Sequence, residues 1–104
     1  MRNLQEQVKK FIEKYDLKHR PEIDALDLVS EIGEIAKEIL EMSNYGKKEP
    51  KYRRELKSEI GDALYSLINL ANHYKIDLKE ALEMVLKKYK KRIKKGKSAK
   101  SESR

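Results

Sequence analysis

The sequence predicts an all-α fold, a four-helix bundle, on three observations. Apolar residues recur at spacings of three and four along most of the chain. No stretch alternates with the period of two that a half-buried strand shows, and turn residues interrupt the helical pattern between its runs. With 104 residues, 38% hydrophobic and 41% charged, the chain makes one small domain whose elements share a limited core.

Each helix has its own signals. Leu4, Val8, Phe11, Ile12 and Tyr15 predict a first helix over residues 2–15. Pro21 suits the first position of a second helix, whose apolar stripe is Ala25, Leu28, Val29, Ile32, Ala36, Ile39 and Leu40. It ends before SNYGKKEP, where Gly46 and Pro50 interrupt it. A third helix over residues 52–74 carries Leu56, Ile60, Ala63, Leu64, Leu67 and Ala71. The fourth starts after Asp77, a good N-cap with Glu80 three residues on, and carries Leu78, Ala81, Leu82, Val85, Leu86, Tyr89 and Ile93. The helical domain is expected over residues 1–95, and GKSAKSESR, residues 96–104, reads as a disordered basic tail. The stripes on the second and third helices are wider than one neighbour covers, so a homodimer or homotetramer is expected to complete the bundle.

Composition excludes several chemistries. There is no cysteine, hence no disulfide, thiolate zinc site or cysteine nucleophile. There is no apolar run of about 18 residues, and the start MRNLQEQVKK has no apolar segment of the kind a signal peptide needs, so the expectation is a cytoplasmic protein without a membrane partner. The net charge of +7 suggests nucleic acid at first sight, but from Lys87 onward ten Lys/Arg face one Glu, so the last part of the chain carries +9 and the body −2. That distribution argues against a nucleic-acid-binding body.

The sharpest signal is EIGE at 31–34 answered by EIGD at 59–62. At about 100° per residue, Asp24, Asp27, Glu31, Glu34 and Glu38 fall in a sector roughly 80° wide on the second helix. Glu55, Glu59, Asp62, Ser66, Asn69 and His73 make a matching line on the third. The competing reading is a solvated charged face, but such faces intersperse Lys or Arg at i+4, and no basic residue joins the acids at 27, 31, 34 and 38 in their stripe. A divalent cation would turn that repulsion into coordination, and hard cations such as Mg²⁺ take carboxylates together with substrate phosphates. Gly33 and Gly61 interrupt the helices at matched positions, each at a cost of roughly 1 kcal/mol relative to alanine, and are expected to admit a close helix or a partner chain.

With these pairs in place, LDLVSEIGEIAKEIL and ELKSEIGDALYSLINLANHYKIDLKEAL resemble the two core segments of the MazG-like all-α nucleoside triphosphate pyrophosphohydrolases, the likeness extending over about residues 4–93. The resemblance implies hydrolysis of a (deoxy)nucleoside triphosphate between the α and β phosphates, giving the monophosphate and pyrophosphate in nucleotide-pool clean-up. It also implies Mg²⁺, with Mn²⁺ as an alternative, held by Glu31, Glu34, Glu59 and Asp62 as the catalytic and metal residues. One departure stands out. Ser30 occupies the first of two adjacent positions that are both glutamate in many members, so the general base is left unassigned.

Phosphate needs positive charge, and Lys88 and Arg92 are candidates, with Tyr65 and Asn69 for a base or sugar pocket and Tyr45 and Lys47 for a covering loop. A core tyrosine and a helix-pairing asparagine explain Tyr65 and Asn69 equally well. His73 reads as a lone surface histidine before it reads as a ligand. Two other classes of function compete with the hydrolase. One is a nucleic-acid-binding or regulatory adaptor working through the basic tail; the other is a non-catalytic nucleotide or metal sensor.

Overall fold

The computed structural model describes residues 2–96 as four α-helices: α1 (Arg2–Lys14), α2 (Pro21–Met42), α3 (Glu55–His73) and α4 (Leu78–Lys94). No strand occurs among the described residues. Most of the predicted tail, residues 97–104, lies outside them. Three of the four helices begin where the sequence places them. Pro21 opens α2, and Asp77 caps α4 by accepting bonds from Lys79 N (2.9 Å) and Glu80 N (3.2 Å). The exception is α3, which starts three residues later than expected. Residues 52 and 53 take no regular structure and residue 54 forms only a turn, with Leu56 N donating to Arg53 O and Lys57 N to Arg54 O.

The α2–α3 connection turns sharply. Asn44, Tyr45 and Gly46 all take positive φ, Gly46 at 86°, a conformation glycine adopts without a Cβ penalty. Ser43 Oγ accepts Gly46 N at 2.9 Å, and Lys51 N donates to Met42 O, closing the loop against the end of α2.

The main packing seam runs along α2 and α3, with α1 against α3, while α4 touches the other helices little. Ile12, Ala63, Ile68 and Ala71 are the buried hydrophobics, and no residue of α4 is buried. Large side chains stay open, among them Leu26 at 68%, Val29 at 70% and Met84 at 68% exposure. The radius of gyration is 16.9 Å, against about 13 Å for a compact chain of this size. The expectation that Gly33 and Gly61 admit a close helix fails within the chain, because a Cβ at either would meet nothing within 4 Å. Their cost in helix propensity is not offset by packing inside one chain.

One polar stitch ties α1 to the far end of α3. Gln5 Nε2 donates to Asn72 Oδ1 (3.0 Å) and Ile76 O (2.8 Å), and Gln5 Oε1 accepts Leu78 N (2.9 Å) at the start of α4. Asn72 Nδ2 returns a bond to Gln5 O. Gln5→Ala should lower unfolding stability by about 1–2 kcal/mol, because partly buried amide partners lose their bonds. Urea denaturation followed by circular dichroism checks this.

Candidate metal centre

The antiparallel α2–α3 seam brings the two acidic stripes face to face, and the charges sort into three levels along it. At one end, Asp24 is buried at 4% exposure and His73 Nε2 lies 2.5 Å from its Oδ2, an N–H donating to a carboxylate. At the other end, Arg53 reaches Glu38 (3.3 Å), Glu41 (3.5 Å) and Glu55 (3.8 Å). The contact to Glu38 Oε2 is an ion pair without hydrogen-bond geometry, so that buried oxygen keeps its charge partner but has no hydrogen bond. A buried carboxylate without a partner is expensive, and both outer levels supply one: the His73 imidazole for Asp24 and the Arg53 guanidinium for Glu38.

The middle level is different. Glu31, Glu59 and Asp62 each offer a carboxylate oxygen within 4.8 Å of the others, and none of them makes an ion pair among the described residues. The Glu59 carboxyl is held above its ordinary value of 4.5, first by partial desolvation and then by the charges of Glu34, Asp62, Glu31 and Glu38. Three oxygen donors from two rigid helices, with no nitrogen or sulfur among them, suit a hard divalent cation. Glu34 is exposed and outside the triplet, yet its charge acts on Glu59, so it stands at the rim of the same centre.

The remaining candidates are spread more widely. Tyr65 packs edge-on against Phe11 at 6.3 Å between ring centres and lines a shallow pocket of about 300 Å³ with Gln7, Val8 and Phe11. Its hydroxyl is pushed above 10.0 by burial and then by the Asp24 charge, which keeps it protonated. Asn69 is buried and lines a separate cavity of about 250 Å³ with Ile12, Asn72 and His73. Lys88 lies over the Tyr89 ring at 5.5 Å, and like Arg92 it sits on α4, which the fold does not pack over the acids within one chain. Tyr45 and Lys47 are exposed in the α2–α3 loop.

Two features escaped the sequence reading. His73 is not a lone surface histidine but the partner of Asp24, and Arg53 clamps three carboxylates. The first had a signal: Asp24 and His73 lie at opposite ends of the two matched stripes, and antiparallel pairing brings those ends together. Arg53 lies in the turn before α3, where helical periodicity carries no information.

The chain is thus a four-helix, all-α protein with three carboxylates drawn together across its central seam, a donor set that could hold a hard cation. Residues 19–96 match the MazG nucleotide pyrophosphohydrolase domain, and the chain belongs to that family. It is similar to the uncharacterized protein YpjD of Bacillus subtilis strain 168, 42% identical over 65 residues covering 60% of this chain and 57% of that one. The chain thus matches little more than half the length of that curated relative. The crystal structure of YpjD superposes with a TM-score of 0.70 at 33% identity, covering 86% of this chain and 91% of that one. The Bacillus-conserved MazG protein, a nucleotide pyrophosphohydrolase, superposes at 0.71 and 29% identity, covering 85% and 86%.

The raised Glu59 carboxyl has a consequence for stability. Its protonated form is favoured in the folded state, so ionisation costs stability: the penalty is absent below the ordinary value of 4.5 and complete above the raised folded value. Without metal, Glu59→Gln should therefore melt higher than the native chain at pH 7, and the difference should shrink as pH falls toward 4.5. Thermal melts in chelator across that range test it.

Proposed function

We propose that this protein is a Mg²⁺-dependent nucleoside triphosphate pyrophosphohydrolase, cleaving between the α and β phosphates to the monophosphate and pyrophosphate in cytoplasmic nucleotide-pool clean-up. The carrying observation is the triplet Glu31, Glu59 and Asp62, which makes no ion pair among the described residues and is set between a level held by the His73 imidazole and one held by Arg53. Family membership and the likeness to a nucleotide pyrophosphohydrolase support the same reading.

Glu31, Glu59 and Asp62 would hold the ion, with Glu34 at the rim turning in as a fourth carboxylate. Bound there, Mg²⁺, or Mn²⁺ in its place, supplies Lewis acidity toward the phosphate oxygens and toward water. The helices fix the carboxylates before substrate arrives, which spares the reaction the cost of assembling them. Arg53 keeps Glu38, Glu41 and Glu55 occupied, so the anionic substrate meets fewer bare charges at that end of the seam. Lys88 and Arg92 contact phosphate only where assembly lays an α4 over the seam. The open apolar faces and detached α4 support a homodimer or homotetramer as the working state.

A nucleotide panel with Mg²⁺, read for pyrophosphate against phosphate, tests the reaction class; phosphate release, or no turnover with any nucleotide, would end the proposal. Amide substitution of Glu31, Glu59 or Asp62 should lower kcat by about 100-fold or more, since each removes a charge from a site built on charge. Glu38→Gln and Glu55→Gln should lose less than about 10-fold, because their charges serve Arg53. Truncation after Gly96 should leave turnover nearly unchanged, as the acids lie wholly in α2 and α3. Sedimentation velocity at micromolar concentration should give a species of at least twice 12.3 kDa.

A further inference from the structure

The chain has two histidines, and both lie beside the same buried carboxylate. His73 holds Asp24 Oδ2 at 2.5 Å from α3. His19, in the connection between α1 and α2, places Nδ1 3.8 Å from the other oxygen, Oδ1. That separation is too long for a hydrogen bond; it is ion-pair reach for a protonated ring, and it is also a distance at which two donors stand on one ion with bonds of about 2.0–2.2 Å. Asp27, one turn on from Asp24, brings a third donor, and the atoms of His19, Asp24 and Asp27 lie within 4.8 Å of one another.

We propose that His19, Asp24 and Asp27 form a second divalent-metal site, chemically distinct from the oxygen-only centre, that takes Zn²⁺ or a similar imidazole-preferring ion. The ligand set sorts the metals: imidazole with carboxylate favours Zn²⁺ over Mg²⁺, and all-carboxylate sites favour the reverse. His73 is the supporting group. Its bond to Oδ2 fixes the Asp24 carboxylate and leaves Oδ1 turned toward His19, the arrangement by which outer groups orient metal ligands.

The local chain explains why these groups meet. Arg20, the residue before α2, is extended at φ −71° and ψ 149°, and it has no side-chain capping bond. His19 therefore lies over the first turn of α2, where Asp24 and Asp27 share a face at i and i+3. His19 and Asp27 are exposed and have room to close onto an ion, whereas Asp24 is fixed. The positive end of the α2 dipole opposes a cation there, but that effect is about half a charge, and two carboxylates exceed it. An ion bound there would staple the α1–α2 connection to α2, with Asp24 two turns and Asp27 one turn before Glu31.

The test needs no nucleotide, so it stands or falls apart from the hydrolase proposal. The full chain, in excess Mg²⁺ to fill the oxygen site, is titrated with Zn²⁺ by calorimetry and with Co²⁺ by visible absorption. One Zn²⁺ per chain is expected, with His19→Asn and Asp27→Asn each weakening it by about 10-fold or more and Glu59→Gln leaving it unchanged. Long-range ¹H–¹⁵N spectra of the imidazoles should show His19 Nδ1 shifting on Zn²⁺ addition. Binding that survives His19→Asn, or that disappears with Glu59→Gln, would overturn the site and assign the ion to Glu31, Glu59 and Asp62. No Zn²⁺ binding in excess Mg²⁺ would overturn it equally.

Discussion

The pairing of α2 with α3 is the constraint on which the rest depends. Each helix carries its acids on the border of its apolar stripe, so burying the stripes against each other forces two rows of carboxylates together. Like charges at such distances repel, and desolvation sharpens the repulsion because the seam excludes part of the water. The structure answers the repulsion locally at the ends. His73 sits on Asp24, Arg53 sits among Glu38, Glu41 and Glu55, and the level between them has no side-chain cation among the described residues. A protein that compensates both ends and leaves the middle open has concentrated its unsatisfied charge at one place.

Such concentration sets chemistry against stability. The neighbouring carboxylates of Glu31, Glu59 and Asp62 are a cost to the fold, and in the proposed reading a divalent ion would turn the same charges into ligands. The same cost holds the Glu59 carboxyl above its ordinary value, through partial desolvation and the neighbouring carboxylate charges. Arg53 limits its spread, since without a cation there the buried Glu38 would add an unpaired charge to the same seam.

The core of the single chain is thin. Few hydrophobic side chains are buried, α4 stands off the other helices, and broad apolar surfaces on α2 and α4 face outward. Isolated helices of this length draw most of their stability from packing an amphipathic face, and α4 has little to pack on within the chain. Glycines at 33 and 61 with nothing near them fit the same picture, because open backbone surface is of use where another helix can approach.

The sequence by itself determined the helices, their caps and the identity of the acidic pairs, because these depend on local rules: periodicity, Pro21 at a helix start, Asp77 as a cap, and i to i+3 spacing. It also brought the family resemblance, through a pattern of acids that local spacing preserves. Only the tertiary structure decided which charges are compensated. Asp24 finds His73 across 49 residues and Glu38 finds Arg53 across a loop, so neither pairing is visible in any one helix. It also separated Glu34 from the triplet it accompanies in sequence, since three carboxylates converge across the seam while a fourth on the same helix face remains exposed. Spacing places residues on a face, but the partner across the seam decides which of them meet.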